Sequence, residues 1–229
     1  MQMVYKRDLD LGGFGGLRER HYVMDRREFG DFRSDGAVDG VGRLLYLADA
    51  FFRPGGHTGM HAHQGVDIVT VLVRGELTHQ GSIGDGYHLS AGDVQIQRAG
   101  RNGFQHDEIN PSTDFNHLVQ LWLAPEDSAT QAHYQVITPS PGQATTVYGD
   151  AHSPLDGHTC VAVAPLKRGQ QLHWQGDTQI YLASGQLWLN DGDATETIER
   201  ETLVRLDDPH LTATRDCLAI LVSAPSRPR

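Results

Sequence analysis

Two short segments, His61-Ala62-His63 and His106-Asp107-Glu108, place metal-ligating side chains at positions i and i+2. In an extended strand such residues point to the same face, so each pair can reach one ion while Ala62 and Asp107 point away. On a helix the same spacing would splay the side chains by about 200°. Ligand use therefore demands strands at both segments. Together the pairs offer three imidazoles and one carboxylate. Such a set suits Fe(II), Mn, Co, Ni or Cu, with Zn also accommodated, and geometry rather than raw affinity selects among them. A lone His-x-His or His-x-Glu is common and most bind nothing; both together on predicted strands are far more specific.

The flanking sequence supplies the strands. Gly42–Phe52 carries Leu44-Leu45-Tyr46-Leu47, Val66–Val73 is rich in β-branched residues, and His117–Leu123 is apolar and closed by Pro125. Val94-Gln95-Ile96-Gln97 alternates with period two, which predicts one wet face. Residues 1–40 read as irregular structure with one strand. Residues 131–158 hold Pro139, Pro141 and Pro154 and read as a connector, with a short helical piece near Glu126–Gln131.

The second half repeats the first. Gly75-Glu76-Leu77-Thr78 is similar to Gly185-Gln186-Leu187-Trp188, and Leu118-Val119-Gln120-Leu121 to Leu218-Ala219-Ile220-Leu221. His63-Gln64-Gly65 falls where Trp174-Gln175-Gly176 would. Offsets of roughly 100 to 111 residues exceed a solenoid period and suit a duplicated β-barrel. The implied division is 1–130, 131–158 as connector, and 159–229. In the second half Leu172-His173-Trp174 and Asp207-Asp208-Pro209-His210 stand where the pairs should be, with neither pattern kept. One metal per chain is therefore expected, in the first half.

The totals restrict the function further. The formal net charge of −10 over 229 residues repels phosphate backbones and argues against direct nucleic-acid binding. No run approaches the ~20 apolar residues of a membrane span, and the start, Met-Gln-Met-Val-Tyr-Lys-Arg-Asp, lacks the apolar core of a signal peptide. A cytoplasmic location is expected. Cys160 and Cys217 make no disulfide framework and read as reduced, buried thiols. P-loop, GxSxG and dinucleotide fingerprints are all missing. The Gly12–Gly16 run reads as a flexible turn.

The segments HAHQGVDIVTVLVRGELTHQGSIG and AGDVQIQRAGRNGFQHDEINPS resemble the two cupin motifs as the pirin family carries them, strongly over residues 40–127 and more weakly beyond. The resemblance implies an all-β fold of two jelly-roll-like cupin barrels in tandem. It carries the family's metal ligands onto His61, His63, His106 and Glu108, with Fe(II) first among divalent ions. Ala62 stands where pirins usually have Pro, and Asp67 where they usually have Glu. The implied activity is that of a quercetin 2,3-dioxygenase: O₂-dependent cleavage of a flavonol with loss of carbon monoxide. In that scheme Glu108 takes the proton of the substrate's 3-hydroxyl. The alternative the resemblance offers is a metal- or redox-sensing protein that binds a protein partner without turnover.

Other histidines carry weaker expectations. His57 reads as an exposed loop residue rather than a fifth ligand. His79 and His117 are candidates to orient the ligands. His88, His133, His152, His158 and His173 read as surface residues. Gln95, Gln97 and Gln120 either line the cavity or face solvent, because parity cannot decide without register.

Overall fold

The computed structural model describes residues 1–126, 131–149, 155, 157–190 and 195–224. Short apolar runs cut by glycine turns fold here into antiparallel strands. In chain order these begin β1 (Gln2–Tyr5), β2 (Leu17–Met24), β3 (Leu44–Phe52), β4 (His61–His63), β5 (Asp67–Arg74), β6 (Glu76–Gly81), β7 (Tyr87–Ser90), β8 (Val94–Arg98), β9 (Phe104–Ile109), β10 (His117–Leu123) and β11 (His133–Ile137). There follow β12 (Thr145–Tyr148), β13 (Cys160–Leu166), β14 (Gln171–His173), β15 (Asp177–Ser184), β16 (Gln186–Asn190), β17 (Thr195–Glu199), β18 (Thr202–Asp207), β19 (His210–Ala213) and β20 (Cys217–Ala224). A single turn of helix, α1 (Arg26–Phe29), starts at Asp25, whose carboxylate accepts from the Arg27 amide at 2.9 Å.

The chain forms two compact units. One holds Leu9–Ala37 and Leu44–Thr138; the other holds Met1–Asp8, Val38–Arg43 and Pro139–Arg229. Each is built from a six-stranded and a four-stranded sheet. The first barrel has the orders β11-β8-β5-β10-β3-β2 and β4-β9-β6-β7; the second has β1-β18-β15-β20-β13-β12 and β14-β19-β16-β17. The two are one topology used twice, as expected for tandem cupin barrels.

Several local expectations give way to longer-range pairing. The first forty residues contain two strands, and β1 joins the second barrel by pairing with β18. Within the stretch expected as a connector, β11 pairs with β8 and β12 with β13, closing one edge of each large sheet. Composition cannot reveal such pairings, because the partners are distant in sequence. Residues 127–130, which include most of the expected helical piece, lie outside the described residues, as does His152. Strand β8 has no wet face: all five residues are buried. Its glutamines face the barrel interior, so alternation there separates a polar interior layer from an apolar one rather than water from core. Cys160 and Cys217 are free thiols, the second buried and the first partly so. No helix among the described residues is long and apolar enough to cross a membrane.

Candidate metal centre

Strand β4 exposes Ala62 and turns His61 and His63 inward. Strand β9 buries Phe104, His106 and Glu108, exposes Gln105 and half-exposes Asp107. Ladder register then aligns the strands: His61 faces His106, His63 faces Phe104, and on the other side of β9 Glu108 faces His79 while His106 faces Gly81. All these residues share one face of the small sheet. Gly81 is required there: a Cβ would lie 2.2 Å from the Gln105 carbonyl oxygen and 2.9 Å from the His106 Cα. Asp107 turns to the other face, where it accepts from the Thr58 hydroxyl at 3.0 Å and the Gly59 amide at 2.9 Å, and meets His57 at 3.2 Å. His57 is thereby held in the loop beside the site, exposed, and not among the converging donors.

The three imidazoles meet through their Nε2 atoms. His63 Nε2 and His61 Nε2 each lie 3.1 Å from His106 Nε2. His61 Nδ1 lies 2.8 Å from the Gly59 carbonyl oxygen. That acceptor fixes the proton on Nδ1 and leaves the Nε2 lone pair facing His106. Burial pushes the His63 imidazole down to about 4, helped by the neighbouring His61. It pushes His106 down to about 2, helped by His63, His61 and His79. Both are therefore neutral near pH 7, which is the form that ligates metal. A metal with ~2.1 Å bonds at right angles separates its nitrogens by about 3.0 Å, which matches the observed spacing. Lone pairs brought so close repel unless a cation stands between them, so the donor set fits a metal.

Glu108 lies deeper. Gln95 Nε2 donates to one carboxylate oxygen at 2.5 Å and Gln120 Nε2 to the other at 3.2 Å. Behind them, the Tyr134 hydroxyl donates to Gln95 Oε1 at 2.9 Å and the Trp122 indole N–H to Gln120 Oε1 at 3.1 Å. Each amide is thus oriented with its NH₂ toward the carboxylate. Burial raises the Glu108 pKa to about 7 despite these two donors. A cation in the cavity would return it to the ionised state. Two overlapping donor sets result: His61, His63 and His106, and His79, His106 and Glu108, each with ligand atoms within 4.8 Å of one another. His106 belongs to both.

Comparison with known proteins bears on what this geometry belongs to. The family model described as Pirin matches residues 40–123, the span of both His-bearing strands. The Pseudomonas aeruginosa protein named "Putative quercetin 2,3-dioxygenase PA1210" is 30% identical over 96% of this chain and 99% of its own. The chain belongs to the pirin family. A Zymomonas mobilis relative, "Putative quercetin 2,3-dioxygenase ZMO1337", is 29% identical over 88% of this chain and 92% of its own. The structure of the bacterial pirin YhhW from Escherichia coli in complex with nickel(II) superposes with a TM-score of 0.82 at 21% identity, covering 99% of both chains.

In this pirin, His61, His63 and His106 converge as their spacing implied. Glu108 reaches the cluster through His106 and in company with His79. His79 had weight only as an orienting group; it is fully buried, its Nε2 is 2.8 Å from the Ile83 carbonyl oxygen, and its Nδ1 has no hydrogen-bond partner among the described residues. His117, the other orienting candidate, instead meets Asp49 at 2.5 Å. Asp67, the departure from the family pattern, is fully buried and held by the Arg98 guanidinium at 3.0 Å. Among the residues the sequence left undecided, Gln95 and Gln120 hold Glu108, while Gln97 is fully buried with neither amide atom partnered among the described residues. Thr70, Trp122 and Tyr134 carried no sequence signal. They matter only through the ladder that sets them beside those glutamines.

Proposed function

We propose that the first barrel of this pirin binds one divalent transition metal, Fe(II) foremost, through His61, His63, His106 and Glu108, and that the chain is a dioxygenase opening a flavonol with O₂. The convergence of three imidazole Nε2 atoms, those of His61 and His63 each 3.1 Å from that of His106, beside a buried carboxylate carries this reading. The relatives named as quercetin dioxygenases support the substrate class, and the nickel-bound YhhW supports occupation by a divalent ion.

The metal, when bound, supplies Lewis acidity toward a substrate hydroxyl and a meeting point for substrate and O₂. The protein's own groups do the rest. Glu108 Oε1 and Oε2, ionised once a cation is bound beside them, stand ready to take the proton of the flavonol 3-hydroxyl as general base. Gln95 and Gln120 fix the carboxylate so that it meets the hydroxyl without reorganising. Gln97 lies two residues from Gln95 on the same strand face and offers an unused amide to a polar substrate atom. The flavonol anion so formed reacts with O₂, and ring opening releases carbon monoxide.

The test is to quantify bound metal in purified protein and follow quercetin loss together with O₂ uptake. Stoichiometric metal and turnover that Glu108→Ala abolishes support the proposal. Metal bound with no turnover on any flavonol defeats the enzyme reading and favours the metal- or redox-sensing one. Absence of metal after reconstitution overturns both.

A further inference from the structure

A second chain of side chains leaves the His cluster through Trp122, whose indole N–H also meets the Gln120 amide that holds Glu108. His63 meets the Trp122 ring edge-on at 5.5 Å between centroids, and Trp122 lies over Tyr46 at 4.7 Å with the planes 30° apart. Trp122 and Tyr46 are direct cross-strand partners on β10 and β3, so this contact is built into the sheet. The Tyr46 hydroxyl is buried and donates to Glu19 Oε2 at 2.6 Å. Glu19 Oε1 lies 3.4 Å from His21 Nε2, and the His21 side chain is 20% exposed. His21 Nδ1 meets the Ser34 hydroxyl at 2.8 Å.

Nothing in the metal chemistry proposed above uses Tyr46, Glu19 or His21. Burying a carboxylate against a phenol costs free energy unless the pair has a job or strong compensation. Each link has a definite chemical property. Indole and phenol are the side chains that surrender single electrons most readily among neutral groups. An indole cation radical is a weak acid, and the Trp122 N–H faces an amide oxygen that is too poor a base to take its proton. A phenol cation radical is a strong acid, and the Tyr46 O–H faces a carboxylate. A positive hole on Trp122 therefore moves on to Tyr46, where proton loss traps it.

We propose that Trp122, Tyr46, Glu19 and His21 form a hole-transfer path that draws oxidising equivalents away from the His cage. The oxidant is a strong one-electron oxidant generated in the cavity from O₂ or peroxide at a redox-active metal. Trp122 gives it one electron. Tyr46 returns one electron to Trp122 and passes its phenolic proton to Glu19. The net products are the reduced oxidant, a neutral Tyr46 phenoxyl and a protonated Glu19, which exchanges its proton with solvent through His21. An external one-electron donor such as a thiol or ascorbate, with a proton, restores the phenol. The path spares His61, His63 and His106 from the oxidation that reactive oxygen inflicts on metal-site side chains.

The role at the metal rests on the proposed metal site, so two arms separate the failures. In the first, a ruthenium photo-oxidant is attached to the cysteine of a His63→Cys, Cys160→Ser full-length protein without metal. A flash should yield a tyrosyl radical by transient absorbance. Tyr46→Phe should remove it, Trp122→Phe should lower its yield several-fold, and Glu19→Gln should slow its formation. In the second, iron-loaded protein is treated with hydrogen peroxide. A tyrosyl signal by electron paramagnetic resonance is expected, lost in Tyr46→Phe, with oxidised histidine at positions 61, 63 and 106 rising several-fold by peptide mass spectrometry in Tyr46→Phe and Trp122→Phe. Iron content is measured in every sample. Protein that binds no iron overturns the metal reading and leaves the first arm to decide the path. A radical yield unchanged by Tyr46→Phe in the first arm, or histidine oxidation unchanged across the variants in the second, overturns the path.

Discussion

The two barrels run the same ladder and fill it oppositely. Thr70 pairs with Gln95 and with Gln120 in the first barrel; at the same rungs of the second, Ile180 pairs with Val204 and with Leu221. The rung His79–Glu108, three residues beyond the start of β6, is matched by Leu189–Leu211 beyond the start of β16. Where β4 offers His61 and His63, the second barrel turns in Leu172 and Trp174. All seven second-barrel residues belong to or pack on one continuous apolar cluster. One backbone thus serves either as a polar cage or as an ordinary core, and only side-chain chemistry at a few inward positions decides. The first barrel gives up apolar burial there and leaves polar atoms of His79, Gln97 and His106 without partners among the described residues, each costing roughly 1–3 kcal/mol of desolvation. The second barrel fills the same positions with apolar side chains.

Experiments can break this contrast at four strengths. The largest effect is expected from His106→Ala, which removes the donor common to both sets. Bound metal by elemental analysis should fall from stoichiometric to background, with the second barrel acquiring none. Next, Leu211→Ala in the second barrel should cost about 2–5 kcal/mol in denaturant unfolding while metal content stays unchanged. A loss of metal there would show that the division of labour is false.

Third, Gln120→Leu copies the second barrel's Leu221 into the first and strips a donor from Glu108. Metal affinity or turnover should drop about 10- to 100-fold, read by competition with a chelator or by quercetin loss. The smallest effect concerns pH. In metal-free protein Glu108 titrates near 7 rather than 4.5, so the folded state holds its proton longer and its contribution to stability is lost as pH rises from 4.5 through 7. His63 titrates near 4 rather than 6.5, and His106 lower still, so stability is lost as pH falls below 6.5. The histidine gain outweighs the Glu108 loss at acid pH and cancels it near neutrality, so stability should rise from acid pH and level off near pH 7. Glu108→Gln should steepen the rise between pH 4.5 and 7, and a variant curve parallel to the wild type there would refute the buried, protonated carboxylate.

The sequence revealed the cage because period two in a strand is a local rule: His61 with His63, and His106 with Glu108, needed only an extended backbone. What it concealed depended on register. His79 joins Glu108 only because β6 lies beside β9 in one alignment. Matching Leu118 to Leu218 by sequence is out by one, since the ladders equate Leu118, opposite Leu72, with Ala219, opposite Leu182. A one-residue slip exchanges inside for outside, which is why Gln95, Gln97 and Gln120 stayed undecided until strands were paired. The Trp122–Tyr46 contact was hidden for the same reason.

Strand β1 adds a constraint of timing. It is made before the first barrel, yet its hydrogen-bonding partner, β18, is made some two hundred residues later. Until then its unpaired edge must wait, while nearly everything the first barrel needs has already been synthesised between Leu9 and Thr138. The half bearing the cage can therefore mature co-translationally, whereas the half that stabilises by packing is finished only after its closing strand emerges. Cutting the gene after Thr138 would also strand β1 with no edge to occupy, so the two halves are separable in architecture but interlaced in the order of their assembly.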